Sequence, residues 1–330
     1  MNNRPPQGVL STVGGTPLIR LGRLFADREF DVLAKIEGMN PGGSIKDRAS
    51  VSMLVGRVRS GDLVPGRSVV VESSSGNLAI GMAQVCGWYG LRFVCVVDSR
   101  TTSQNLAILR AYGTEVDMVD RPDPATGEYL PARIARVREL VDRIPHAYWP
   151  NQYANELNPR AHHTTMAEIL EQAGGPVDYL FVATSSCGTV TGCREYLAEH
   201  SPRTRVVAVD AEGSAIFGRP RGPRLLPGHG AAVPPALYRK GVADQVVHVS
   251  DLDAVVGCRR LIRREALLAG GSSGAVVSAV ERLAPELPPG ATCVAVLADR
   301  GERYLDTIYD DTWVRDHFGE VAHLWKENDR

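Results

Sequence analysis

What most constrains this chain is a repeated order of signals: an apolar, β-branched run, a short stretch rich in glycine and hydroxyl residues, then helical periodicity. Val177–Thr184, VDYLFVAT, reads as a buried strand that runs into SSCGTVTG and continues as a helix. The same order recurs from Asp31–Glu37 through GMNPGGS into a helix from about Ile45 to Val58. It recurs from Arg67–Glu72 through SSSGN into LAIGMAQVCGWYG, and from Arg92–Asp98 into SQNLAILRAYG, where Gly113 suits a helix C-cap. EVDMVD and a helix near Pro131–Arg143 follow. After a break near residues 145–160 come the strands RVVAVD and QVVHVS and a helix from Asp251 ending near Gly270–Gly271. A helix through GAVVSAVERLA and a strand at Thr292–Asp299 complete the series. Strands that alternate with helices pair in parallel, so the expected class is α/β, with twisted, mostly parallel sheets flanked by helices in two units.

Bulk properties narrow the partners. A net charge of −1 over 330 residues argues against nucleic acid or an anionic membrane surface. No apolar run approaches a membrane span, and MNNRPPQGV lacks the apolar core of a signal peptide, so a cytoplasmic location is expected. Cys86, Cys95, Cys187, Cys193, Cys258 and Cys293 contain no C-x-x-C pair, so neither disulfides nor a metal site is expected. His162 and His163 are expected on a helix surface. Arg219, Arg221 and Arg224 lie in the long loop RPRGPRLLPGHG and are expected to be solvated, an anion-attracting rim being the alternative.

Ligands of open α/β sheets bind beyond the carboxyl ends of the strands. Loops at such ends carry Ser73–Asn77 (SSSGN) and Ser185–Thr189 (SSCGT), while GGSSGA (Gly270–Ala275) opens a helix. SSCGT has the best physical case for phosphate, since the free N–H groups and dipole of the following helix point at an anion in the turn. Each loop also has a plainer reading: a capped turn for the first two, close helix packing for GGSSGA. Gly38–Ser50, GMNPGGSIKDRAS, superficially resembles a nucleotide-binding P-loop, but Ser44 and Ile45 intervene between Gly43 and Lys46, and Asp47 replaces the metal-binding hydroxyl. The chain has only four lysines (Lys35, Lys46, Lys240 and Lys326), and Lys46 sits where a helix starts. A cation is misplaced there, and the same field together with burial favours a neutral amine, the form that condenses with an aldehyde. A lysine of that kind, a phosphate cradle and several hydroxyl donors fit pyridoxal 5′-phosphate.

NPGGSIKDR, SSSGNLAIGMA, GTVTG, GGSSGA and GERYL occur in an order that resembles the cysteine synthase and cystathionine β-synthase family of fold-type II pyridoxal-phosphate enzymes. The resemblance implies a smaller domain at 40–148 carrying Lys46 and a larger one formed by 1–39 plus 149–330, with the active site in the cleft between them. It implies that Lys46 is the Schiff-base lysine and the base for the α-proton, and that Asn77 donates to the cofactor's 3′-oxygen. Ser185, Ser186, Cys187, Gly188 and Thr189 would hold the cofactor phosphate, and Ser272 would face the pyridine nitrogen. Ser73, Ser74, Ser75, Gly76 and Asn77 would clamp the substrate carboxylate. A serine cannot keep that nitrogen protonated as a carboxylate would, which favours elimination of a β-leaving group over a long-lived carbanion. A homodimer is implied by the same analogy.

Two departures narrow the resemblance. SSCGT places side chains where the family carries the glycines of Gly-Thr-Gly-Gly-Thr, and ADR (Ala298–Arg300) replaces the usual Pro-Ser before GERYL. With EGMNPGGSIKDR, ARIARVREL, AYWPNQYANELN, VDAEGSAIFG and DRGERYLD, they resemble a branch that joins O-phospho-L-serine to L-glutamate. Its product is N-(2-amino-2-carboxyethyl)-L-glutamate, a precursor of 2,3-diaminopropionate for siderophores or peptide antibiotics. Arg133, Tyr153 and Ser185 would then donate to the phosphate or to the glutamate carboxylates; read by themselves they are a solvated helix arginine, a core tyrosine and a turn cap. The alternatives are a cysteine synthase using O-acetyl- or O-phosphoserine with sulfide, a synthase of diaminopropionate using ammonia, and a non-catalytic scaffold.

Overall fold

The computed structural model describes residues 8–326, and its contacts divide them into two compact units. The smaller holds Asn40–Ala161 with the described residues up to Gly14; the larger holds Gly15–Met39 and the described residues from His162 onward. In chain order the elements begin with β1 (Leu18–Arg20), β2 (Asp31–Ile36), α1 (Lys46–Ser60), β3 (Val69–Ser73), α2 (Asn77–Tyr89) and β4 (Arg92–Asp98). Next come α3 (Ser103–Ala111), β5 (Glu115–Val119), α4 (Tyr129–Arg143), β6 (Ala147–Tyr148), α5 (Leu157–Ala173), β7 (Tyr179–Ala183) and α6 (Gly188–His200). The last are β8 (Arg205–Ala211), β9 (Gln245–Val249), α7 (Asp251–Glu265), α8 (Gly271–Leu283), β10 (Thr292–Leu297) and α9 (Asp311–Phe318).

In the smaller unit a four-stranded parallel sheet runs in the order β5-β4-β3-β6. In the larger, six strands run β1-β2-β10-β7-β8-β9, parallel except for β1, which pairs antiparallel with β2. The inner strands are buried along almost their whole length, which is why VVVES, YLFVA and VVAVDA read as continuous apolar runs rather than alternating ones. One core of the smaller unit packs α1 and α2 on the sheet through Met53, Leu54, Ile80 and Met82; that of the larger gathers α7 and α8 onto β7, β8 and β10.

The division departs from the expected one, because residues 149–161 and the described residues up to Gly14 cluster with the smaller unit. Hydrogen bonds explain it: Trp149 and Gln152 bond to Glu72, the Ser52 hydroxyl donates to the Leu157 carbonyl, and the Gly14 N–H donates to Asn40. The helix from Asp251 stops at Glu265 rather than running to Gly270, since Ala266 adopts the left-handed conformation (φ 56°) that ends a helix. β1, β6 and α9 were not legible: the two strands are three and two residues long, too short to show a period.

Candidate active site

In the smaller unit, Ser73–Gly76 leave the carboxyl end of β3 and lead into α2, which opens with Asn77. The loop is anchored by buried Glu72, whose Oε1 accepts from the Ser73 N–H (2.8 Å) and Trp149 Nε1–H (3.0 Å) and whose Oε2 accepts from the Gln152 N–H (3.2 Å). Three successive carbonyls are also occupied: Gln152 Nε2 donates to Ser73, Cys95 Sγ to Ser74 and Asn105 Nδ2 to Ser75. The Ser73 hydroxyl is buried and has no hydrogen-bond partner among the described residues. A rigid loop with its carbonyls bound, at the N-terminus of a thirteen-residue helix, is suited to a carboxylate. Burial pushes the Glu72 carboxyl up to about 7 against the pull of its N–H donors.

Lys46 is the first residue of α1 and is half-buried; its N–H donates to Ser44 Oγ (3.2 Å). The turn before it admits only glycine at one point, for a Cβ on Gly42 would lie 2.5 Å from Asp47 Oδ1, whose partner oxygen accepts the Gly42 N–H. Gly81 brings α2 equally close to α1, since a Cβ there would sit 2.6 Å from Ser50 Oγ and 3.3 Å from Asp47 Cα. The helix that begins with Lys46 is thus locked to the helix that begins with Asn77. Arg133 projects from α4 and is 8% exposed, with Nε 3.3 Å from Asp98 Oδ2 at the end of β4. Neither its Nε nor its Nη1 has a hydrogen-bond partner among the described residues. It is therefore not a solvated helix arginine. Tyr153 is half-buried; desolvation raises its hydroxyl pKa, opposed by the nearby Arg133 charge.

In the larger unit, Thr184–Cys187 link β7 to α6, and the Thr184 N–H remains bonded to the Val209 carbonyl (2.9 Å). Ser186 and Thr189 are buried and Ser185 half-buried; the Ser186 hydroxyl accepts from the Gly188 N–H (3.5 Å). Cys187 holds a left-handed conformation (φ 63°) just before α6, the geometry that a glycine would satisfy without strain. Burial pushes its thiol up to about 12, so it supplies bulk rather than a thiolate. Ser272 lies in the first turn of α8, 3% exposed. GGSSGA serves close packing as well: a Cβ on Gly274 would lie 2.0 Å from the Ala254 carbonyl of α7, and one on Gly257 would lie 2.1 Å from the Gly274 carbonyl. Of the loop arginines, Arg219 and Arg221 are exposed, whereas Arg224 is half-buried with Nη1 3.5 Å from the His229 carbonyl.

Several residues that shape these loops were missed in the sequence. His162 is fully buried, not on a surface; its Nδ1 lies 3.2 Å from Thr165 Oγ1 and its Nε2 3.3 Å from Thr189 Oγ1, behind the phosphate-type turn. The polar string AHHTT hides this, because a satisfied buried histidine has the same local pattern as an exposed one. Glu72 had a weak signal, an acid ending an otherwise apolar strand. Asp299, from the ADR departure, is buried and accepts from the Tyr304 hydroxyl (2.6 Å), while its carbonyl accepts from the Gly270 N–H (3.3 Å) just ahead of Ser272. All six cysteines are free and buried.

Residues 9–299 match the family described as pyridoxal-phosphate dependent enzyme. The chain is 47% identical over 309 residues, 93% of its length and 91% of the relative's, to N-(2-amino-2-carboxyethyl)-L-glutamate synthase of Ralstonia nicotianae. Among solved structures it is similar to O-ureido-L-serine synthase, with a TM-score of 0.85, 31% identity, and coverage of 94% of this chain and 99% of that one. Cysteine synthase of Entamoeba histolytica is similar too, with a TM-score of 0.84, 30% identity, and coverage of 100% and 94%.

Proposed function

The chain belongs to the pyridoxal-phosphate-dependent enzymes, and we propose that it replaces the phosphate of O-phospho-L-serine with the amino group of L-glutamate, forming N-(2-amino-2-carboxyethyl)-L-glutamate. It is a β-substitution synthase of the cysteine synthase type and uses pyridoxal 5′-phosphate. The observation that carries the choice of substrates is the 47% identity over 93% of the chain to the synthase of that name.

The residues present fit the cofactor. Buried hydroxyls of Ser186 and Thr189 and the N-terminus of the thirteen-residue α6 form a donor set suited to a phosphate. When bound, the cofactor supplies an electron-withdrawing ring at the substrate's α-carbon. In our reading Lys46 carries it, and the turn 185–189 takes its phosphate. Asn77 donates to its 3′-oxygen and Ser272 to its ring nitrogen, leaving that nitrogen without a stabilised proton. The hydroxyls of Ser73–Ser75 and the N–H groups at the start of α2 bind the substrate carboxylate, the carbonyls of Ser73, Ser74 and Ser75 and the Ser73 N–H being engaged elsewhere. The Lys46 amine takes the α-proton, and the Cβ–O bond breaks with its electron pair leaving on phosphate. The glutamate nitrogen then forms the new bond to Cβ and gives up one proton, and Lys46 returns its proton to Cα; the net proton leaves on phosphate.

A dianionic leaving group and a nucleophile with two carboxylates both want fixed cations and hydroxyls. Arg133, buried and without hydrogen-bond partners on Nε and Nη1, is the group in the smaller unit best matched to that need, with Tyr153 within reach of its charge. Ser185 and Cys187 put side chains into a turn that glycines would leave open. A cytoplasmic homodimer accords with the family analogy. Incubation with phosphoserine and, in turn, glutamate, sulfide and ammonia, followed by mass spectrometry, tests the assignment. Condensation with glutamate is expected; cysteine from sulfide with no glutamate adduct would overturn it.

A further inference from the structure

The larger unit contains two buried histidines in contrasting states. His162 has a threonine hydroxyl at each ring nitrogen. His229, in the long loop after β8, is 1% exposed, yet neither Nδ1 nor Nε2 has a hydrogen-bond partner among the described residues. A histidine that merely filled space would be less costly as an apolar side chain, because a buried donor and acceptor left unmatched are destabilising.

The neighbours of His229 show what it stands beside. Gly228 (φ 102°) lies against Ser272, for a Cβ on it would be 3.6 Å from Ser272 Cβ and 3.7 Å from Ser272 Oγ. On the other side, the Gly230 N–H donates to the Thr184 carbonyl (2.6 Å), and the Ser185 hydroxyl approaches the Gly230 carbonyl (3.5 Å). Gly230 (φ 74°) is itself confined, a Cβ there lying 2.7 Å from Arg224 Nη1 and 2.8 Å from Ala211 Cβ. The backbone on either side of His229 is thus anchored to the serine assigned to the ring nitrogen and to the turn assigned to phosphate. Desolvation pushes its pKa down to about 4, with Arg224 adding to the effect and Asp251 opposing it, so at neutral pH the ring carries one N–H donor and one acceptor.

We propose that His229 is a further binding residue of this site, whose neutral imidazole donates a hydrogen bond to an oxyanion held between Ser272 and the 185–189 turn. The inference rests on the assignment of those two elements to the cofactor. The oxyanion has two possible sources, the phosphate arm of the cofactor or a phosphate or carboxylate of an amino-acid substrate, and both accept from the same N–H.

His229→Leu distinguishes them. Thermal unfolding of the apo-protein should show the variant at least as stable as wild type, because the unmatched polar ring is gone. If the cofactor is the source, titration with pyridoxal 5′-phosphate should give a roughly tenfold higher Kd and a smaller rise in Tm, as loss of a hydrogen bond to a charged group implies. If a substrate is the source, cofactor binding stays normal and the loaded variant needs roughly tenfold more phosphoserine or glutamate for half-maximal spectral change. Cofactor, phosphoserine and glutamate binding all within twofold of wild type would overturn the proposal. Should the leucine variant not fold, His229→Met poses the same question with a more adaptable side chain. Wild-type protein whose Tm does not respond to pyridoxal 5′-phosphate would sink the underlying site assignment as well, whereas a normal wild-type response unchanged in the variant sinks the role of His229 alone.

Discussion

Substituting Gly274 with alanine tests whether the helix bearing Ser272 is placed by backbone contact. In an exposed helix interior this change stabilises, by about 1 kcal/mol, since glycine is the worst ordinary helix former. Here the new methyl would start 2.0 Å from the Ala254 carbonyl oxygen, 2.6 Å from Cys258 Sγ and 2.7 Å from the Cys258 nitrogen. Two of those three atoms are backbone, so no rotamer change relieves the overlap and α7 must move away from α8 by roughly an ångström. Overpacking of a rigid core costs about 1–3 kcal/mol, and a contact against backbone belongs at the upper end. Net of the propensity gain, a loss of about 2 kcal/mol is expected, or roughly 4–8 °C in Tm for a unit of this size. Gly56 of α1 is the control: it also lies inside a helix, but a Cβ there would meet nothing within 4 Å. Differential scanning fluorimetry on both alanine variants should therefore give shifts of opposite sign, down for Gly274→Ala and level or up for Gly56→Ala. Because Ser272 is two residues from Gly274 in the first turn of α8, the destabilised variant should also bind pyridoxal 5′-phosphate more weakly. A Gly274→Ala protein as stable as wild type would refute the argument that backbone contact fixes this helix.

Three other outcomes are expected. Purified wild-type protein should be yellow from lysine-bound cofactor and Lys46→Ala should not be; colourless wild-type protein after loading would remove Lys46 from its role. Arg133→Met should raise the KM for phosphoserine or glutamate roughly tenfold or more while leaving the cofactor spectrum unchanged, as loss of a charge-assisted bond predicts, and an unaltered KM for both would return Arg133 to a structural role with Asp98. Glu72, raised from an ordinary value near 4.5 to about 7, keeps a proton in the folded state that the unfolded chain has released between those values. Stability from this group is therefore present below about pH 4.5 and lost as pH rises to 7, by about 3 kcal/mol in full. Relative to wild type, Glu72→Gln should gain stability from pH 5 to pH 8, read as the difference in Tm; a difference flat with pH would show that Glu72 stays ionised throughout.

Much of the architecture was legible because burial on both faces leaves a coarse signature. The runs in β3, β4, β7 and β8 are apolar for the same reason that they are central, and the glycine-hydroxyl strings that interrupt them mark the strand ends where α/β proteins bind ligands. Lys46 stood out by scarcity and by sitting where a cation is unfavourable. Boundaries set by single dihedral choices were not legible: nothing local predicts that Ala266 turns left-handed and ends α7 before the glycines. Nor could the sequence say that Gly274, two residues after Ser272 in the first turn of α8, is pressed against the preceding helix α7.

Two of the side chains that sequence reading missed share one physical property: each is a polar group whose meaning lies in a partner distant along the chain. Glu72 is defined by Trp149 and Gln152, and His162 by Thr189. Periodicity reports which way a residue points but not what it meets, so a satisfied buried histidine, an unsatisfied one and a solvated one look alike. The three histidines His162, His229 and His163 span that range, with ring nitrogens bonded within the larger unit, unmatched within it, and on a partly exposed pair with Glu195. Of the three, His229 alone has both ring nitrogens buried without a hydrogen-bond partner among the described residues. Arg133 in one unit and His229 in the other are buried polar groups with atoms unmatched among the described residues, so the Arg133→Met and His229→Leu variants separate a group kept for a ligand from one kept for the fold.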